Sequence, residues 1–292
     1  MTQESPRINS GWIRALLFFV AAMITSQIFA GIGMVGVLLV SGFDISTLSN
    51  QDALMKELNQ INFFLILKII EFSAVMLCVW LFMRYIDRQP VNSIGLVYDG
   101  YQKDLQFGLG LGAGLIAIGF FILFILGYVS IEGFSFPLGN IFLYFVLFVI
   151  VSLHEEIMLR GYILRNLMSS MNKYGALALS SLVFMSVHLL NPNISPLAVI
   201  NLFLAGIVLG IYYIHKPNLW LPIGMHLTWN FFQGPIFGFE VSGIESESII
   251  NQSVTGSDYI TGGEFGFEGS LLATALIIVL ILFLDKKYGT RS

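Results

Sequence analysis

Charge is what this sequence lacks most. Only 11% of the 292 residues are charged, against about 25% in an average soluble domain. With a formal net charge of -4, nothing suggests the basic surface that nucleic acid binding needs. A single cysteine, Cys78, excludes an internal disulfide and a thiolate metal cluster. It sits inside an apolar run and reads as a small buried hydrophobe.

Hydrophobic residues make up 56% of the chain and are gathered into long runs. A membrane helix needs about 20 apolar residues to cross a hydrocarbon layer of about 30 Å. Eight segments qualify, near 13–40, 61–83, 107–129, 139–163, 173–190, 196–214, 219–237 and 270–284, and the fourth extends as helix toward 169. The expected fold is all-α, a polytopic transmembrane bundle of about eight spans. Arg7 and Arg14 ahead of the first run resemble the start of a signal peptide, but the run is too long for one and reads as a retained anchor.

Lysine and arginine alternate between connections. They occur at Arg7 and Arg14, at Arg84, Arg88 and Lys103, around the turn at Arg160, Arg165 and Lys173, at Lys216, and at Lys286, Lys287 and Arg291, with Lys56 the main exception. The positive-inside rule then places both termini in the cytoplasm. Residues 238–269 hold Glu240, Glu245, Glu247, Asp258, Glu264 and Glu268 with no basic residue. They read as an outside loop, either a solvated linker or a lid. The expected organisation is 1–106, membrane helices and a cytoplasmic connection; 107–237, a catalytic membrane core; 238–269, the acidic loop; and 270–292, a last helix and tail.

Ionisable groups at membrane depth are costly and mark function. Here they fall in three runs, VSLHEEIMLRGYILRN, SLVFMSVHLLNPN and LPIGMHLTWNFF. Glu156 and Arg160 are four apart and pair on one helical face. Glu155 points about 100° away with Leu159 at its i+4 position. A carboxylate without a cationic partner in an apolar setting is the better base, so Glu155 is assigned to chemistry and Glu156 with Arg160 to architecture. Centring the next turn near Asn172 puts His188 at the depth of Glu155. His226 and Asn230, again four apart, supply donors for a developing oxyanion. Pro222 and Gly224 are expected to open or bend that helix.

Each of these signals has a plainer reading. EExxxR alone can be an interhelical staple, a lone histidine can donate to a carbonyl, and Asn230 can be polar glue between helices. Their convergence on three spans favours a site. Glu155, His188 and His226 also form a possible two-histidine, one-carboxylate zinc set. HEEIM is not the zincin helix, because Met158 stands where a second histidine is needed. The metal-free reading is preferred, since zinc would consume the acid best placed as base. His154 and His215 are weaker candidates, and Lys68 with Glu71 reads as a neutralising pair.

The motifs EEIMLR at 155–160, FMSVH at 184–188 and HLTWN at 226–230, in this order, resemble the CPBP family, the CAAX protease and bacteriocin-processing membrane proteins also called the Abi family. The stretches GPIFGFEVSG and TGGEFGFEGSLLA look like its bacterial members. The resemblance implies a helical intramembrane endopeptidase with a CAAX-protease-like core. Glu155 and His188 would activate water, His226 and Asn230 would stabilise the oxyanion, and Glu156 and Arg160 would support them. It also implies a membrane-associated protein or peptide as substrate and, for this chain, a bacterial plasma (inner) membrane. A non-catalytic immunity or scaffold protein and a transporter are the rival readings.

Overall fold

The computed structural model describes residues 5–40 and 60–289. Lys56 and Arg291, both used in the count of basic residues, lie outside the described residues. Eight helices of twelve residues or more run through the described chain. They are α1 Gly11–Val40, α2 Ile61–Asp87, α3 Gln102–Ile125, α4 Leu138–Met168, α5 Lys173–Val187, α6 Pro196–His215, α7 Trp220–Phe231 and α8 Leu271–Gly289. Helices are what such runs must form in lipid, where only internal hydrogen bonds can satisfy the backbone.

Five helices, α1, α2, α3, α4 and α6, are long and apolar enough to cross a membrane, with mean hydropathy between 2.0 and 2.4. The other three fall short of the eight expected spans. α5 has 15 residues and α7 has 12, so at 1.5 Å per residue neither reaches about 30 Å. α8 ends in Asp285, Lys286 and Lys287. The third span also begins earlier than expected, because Gln102, Lys103 and Asp104 form its first turn. Asp104 is neutralised there by Lys216 at 2.7 Å.

Ends of helices are set locally. Asn172 caps α5 by accepting a hydrogen bond from the Gly175 amide at 2.8 Å, and Ser195 caps α6 by accepting from Ala198 at 3.1 Å, with Pro196 at the first helical position. α1 packs on α2, α2 on α4, α5 on α6, and α6 on α8, while α3 lies along α7, which also meets α4. A buried network ties three of these helices together: Arg14 donates to Asp87 at 2.7 Å, and the Tyr162 hydroxyl donates to the other Asp87 oxygen at 2.5 Å.

Glycine explains the α3–α7 contact. A Cβ at Gly108 would lie 2.2 Å from the Leu221 carbonyl oxygen, and one at Gly112 would lie 2.2 Å from that of Met225. Gly224 serves the same purpose from α7, within 2.8 Å of the Leu105 oxygen. The expectation that Pro222 and Gly224 open or bend the helix is therefore wrong. Pro222 occupies the first turn, where no intrahelical donor is needed, and α7 runs unbroken past both. The change in winding comes later, in a π-turn over Phe232–Ile236 that contains Pro235.

The acidic connection is folded rather than a solvated linker. Its strand Ile250–Val254 pairs antiparallel with Val129–Phe134, which follows α3. Phe239 and Phe267 are buried with Ile116 and Phe120 of α3. Aromatic burial thus holds this segment against the bundle despite its charge.

Candidate active site

α4 carries the first part of the site. It is α-helical through Glu156 and then widens to π-type winding over Ile157–Leu164, a stretch buried throughout. The widening leaves Glu156 and Arg160 on one face. Arg160 Nη1 donates to Glu156 Oε1 at 2.9 Å, Nη2 donates to the Gly206 carbonyl at 3.1 Å, and the guanidinium covers the Phe184 ring at 4.7 Å. Both side chains are essentially sealed, at 1% and 0% exposure. One arginine thereby joins α4, α5 and α6, and its charge stays partnered in a place where an unpaired one would be very costly.

Glu156 has a second partner that the sequence did not show. His226 Nδ1 lies 2.9 Å from the same Oε1. A carboxylate oxygen accepts, so Nδ1 carries the proton and the ring is held with Nε2 turned toward Glu155. On α5 the same logic orients His188: its Nδ1 donates to the Phe184 carbonyl at 2.8 Å. A neutral His188 therefore presents an Nε2 lone pair. Phe184 packs against that ring, with centroids 4.6 Å apart.

These restraints converge on one oxygen. Glu155 Oε2 is 3.8 Å from His188 Nε2 and 3.9 Å from His226 Nε2. The gaps are too long for direct hydrogen bonds and leave room for an oxygen atom among the three groups. Among the described residues Oε2 has no hydrogen-bond partner, and it is buried. Asn230, 8% exposed, lies one helical turn beyond His226. All four residues, Glu155, His188, His226 and Asn230, line one cavity of about 1260 Å³. The structure thus brings together every site residue expected from sequence, with Glu156 and Arg160 behind them.

Glu155 Oε2, His188 Nε2 and His226 Nε2 are the donors that a zinc ion would use. Bonds of about 2.0–2.1 Å in a tetrahedral shell put neighbouring donors about 3.3–3.5 Å apart, closer than the 3.8 and 3.9 Å here. Among the described residues, no group of three or more His, Cys, Asp or Glu is arranged to hold a metal ion.

Residues that the sequence reading left outside the site also line the cavity. Lys68 and Glu71, paired at 2.7 Å, line it from α2, and His154 lines it from α4. Glu268 lines it from the acidic segment, with Ser242 donating to its Oε1 from both the amide, at 2.5 Å, and the hydroxyl, at 2.6 Å. No helical spacing connects Glu268 to the motifs. The only signal was its setting, EFGFEGS, where glycines and buried phenylalanines make a packed turn. His215, a weaker candidate from sequence, has a side chain only 1% exposed. It bridges Asp285 at 2.7 Å and Lys173 at 3.1 Å, which joins the ends of α6 and α8 to the start of α5.

Apolar helices and a buried glutamate–histidine–histidine–asparagine cluster define an integral membrane protein with a polar site inside its bundle. Residues 137–232, roughly a third of the chain, match the family model for Rce1-like type II CAAX prenyl endopeptidases, in keeping with the CAAX protease (CPBP) family. This segment runs from the start of α4 to the end of α7 and contains all six motif residues. Comparison with curated proteins and with solved structures gave no match.

Proposed function

We propose that this protein is an intramembrane endopeptidase that hydrolyses a peptide bond with a water molecule activated between Glu155 and His188. The observation that carries the reading is the convergence of two independently oriented imidazoles on Glu155 Oε2, at 3.8 and 3.9 Å, inside a cavity large enough for a peptide segment.

In this mechanism, water bound beside Glu155 gives a proton to that carboxylate while its oxygen attacks the scissile carbonyl carbon. His188 Nε2 accepts the second water hydrogen bond and aims the lone pair. Charge developing on the carbonyl oxygen is met by Asn230 Nδ2 and by His226 Nε2, which donates when the ring carries both protons. The C–N bond then breaks, and the proton held by Glu155 passes to the departing amine. Each step is general acid–base or electrostatic catalysis, and the two imidazoles that take part are already oriented by hydrogen bonds. Glu156 and Arg160 act through His226 and are positioning residues.

The substrate in this reading is a membrane-associated protein or peptide reached from within the bilayer. In this reading the membrane is a bacterial inner membrane and both termini are cytoplasmic, the side that the distribution of basic residues supports. A test pairs metal analysis of the purified protein with cleavage of a peptide library in liposomes, before and after chelation, for wild type and Glu155→Gln. Cleavage that survives chelation and disappears in a folded Glu155→Gln supports the glutamate mechanism. Stoichiometric zinc whose removal abolishes activity, and whose return restores it, would make Glu155 a ligand instead. Unchanged turnover in Glu155→Gln would refute both.

A further inference from the structure

Carboxylates from outside the catalytic helices also line the cavity. The folded acidic segment brings Glu240, Glu245, Glu247, Glu264 and Glu268 into the lining. Among the described residues, Lys68 is the one lysine or arginine of the lining, and Glu71 already balances its charge at 2.7 Å. The other half of the wall is apolar, with Ile61, Phe64, Leu147 and Phe148 among its residues.

Glu268 is the most firmly placed of these acids. Both Ser242 donors hold its Oε1. Asn201 of α6 donates to the backbone carbonyls of Glu268 and Ser270 at 2.8 and 2.9 Å, and the Thr274 hydroxyl donates to the Asn201 side-chain oxygen at 2.6 Å. Among the described residues, no hydrogen bond reaches Glu268 Oε2. Burial pushes this carboxyl up from the usual range, and the Ser242 hydrogen bond and the two nearby histidines only partly offset it. A partly buried carboxylate with one oxygen free of hydrogen bonds is balanced further when a cation joins it.

We propose that the cavity selects a substrate with a lysine or arginine close to the scissile bond, and that Glu268 receives that side chain. This rests on the peptidase reading of the same cavity. The apolar wall takes the flanking hydrophobic part of the peptide, and the outer acids draw its charge inward. Glu268 is thus a specificity-determining residue, separate from the groups that activate water.

The test uses matched peptides in which one flanking position is Lys, Gln or Glu, presented in liposomes to wild type, Glu268→Gln, Glu268→Lys and Glu155→Gln. Wild type is expected to favour the Lys peptide over the Gln peptide by roughly 10- to 100-fold in kcat/KM, the range of one partly desolvated charge pair. Glu268→Gln should bring that ratio toward one, mainly through KM, and Glu268→Lys should turn the preference toward Glu. A wild-type ratio near one, or a ratio unchanged in Glu268→Gln, would overturn the proposal. If Glu268→Gln does not fold, the wild-type ratio and its decline with added salt decide the matter. Cleavage that requires Glu155 but ignores substrate charge defeats the selectivity alone; cleavage that persists in Glu155→Gln defeats the peptidase reading beneath it.

Discussion

Replacing Gly112 by alanine should damage the site without touching any group in it. The new methyl would lie 2.2 Å from the Met225 oxygen, 2.4 Å from Thr228 Oγ1 and 2.8 Å from the Trp229 amide nitrogen. Carbon and oxygen in ordinary contact stand about 3.2 Å apart, so α3 and α7 must part by about 1 Å. Overpacking of this kind costs roughly 1–3 kcal/mol, or about 2–10 °C in Tm. Because the displaced residues flank His226 and Asn230, the same movement should lower kcat on the order of 100-fold. Thermal unfolding in detergent and peptide cleavage in liposomes read the two effects. Gly110→Ala and Gly114→Ala are the controls, since a methyl at either position meets nothing within 4 Å. They should leave activity intact and stability equal or slightly higher, because alanine favours helix by up to about 1 kcal/mol. If Gly112→Ala behaves like these controls, close glycine packing does not position α7.

Three further substitutions test the framework. Arg160→Met leaves the sealed Glu156 with His226 as its remaining hydrogen-bond partner among the described residues and should cost up to about 3–5 kcal/mol, seen as loss of monodisperse protein; a stable, fully active variant would contradict the role given to this pair. Tyr162→Phe removes the hydrogen bond to Asp87 and should lower stability by about 1.5–3 kcal/mol in chemical or thermal unfolding, while activity per folded molecule stays the same. Asn201→Ala frees the carbonyls of Glu268 and Ser270, at a cost of about 1–3 kcal/mol, and should speed hydrogen exchange in the segment around 262–274 before the rest of the bundle responds.

The motif residues were legible because helical spacing encodes geometry within a span. EExxxR fixes one face, and the near-symmetric placement of Glu155 and His188 about Asn172 fixes a common depth. Contacts between distant elements left no such trace. The Glu156–His226 hydrogen bond joins residues 70 apart, and only the packing of α4 against α7 creates it. Composition misled in the acidic connection, where six acids suggested solvation although Phe239, Phe265 and Phe267 bury themselves against the bundle. Hydropathy also misplaced the start of α3, because it cannot see that Lys216 neutralises Asp104. Proline and glycine in α7 suggested a break; their actual effect, intimate contact with α3, depends on which face they occupy.

The Asn201 hydrogen bonds have a consequence for the order of events during synthesis. All six motif residues are translated by Asn230, yet one wall of the chamber comes from the segment that follows, anchored on Asn201 and on Thr274 in the first turn of α8. A nascent chain that has inserted only its first seven helices has its reactive groups in place around an unfinished vessel. That wall can be completed only once α8 has been made, because Thr274 holds the Asn201 side chain that carries it.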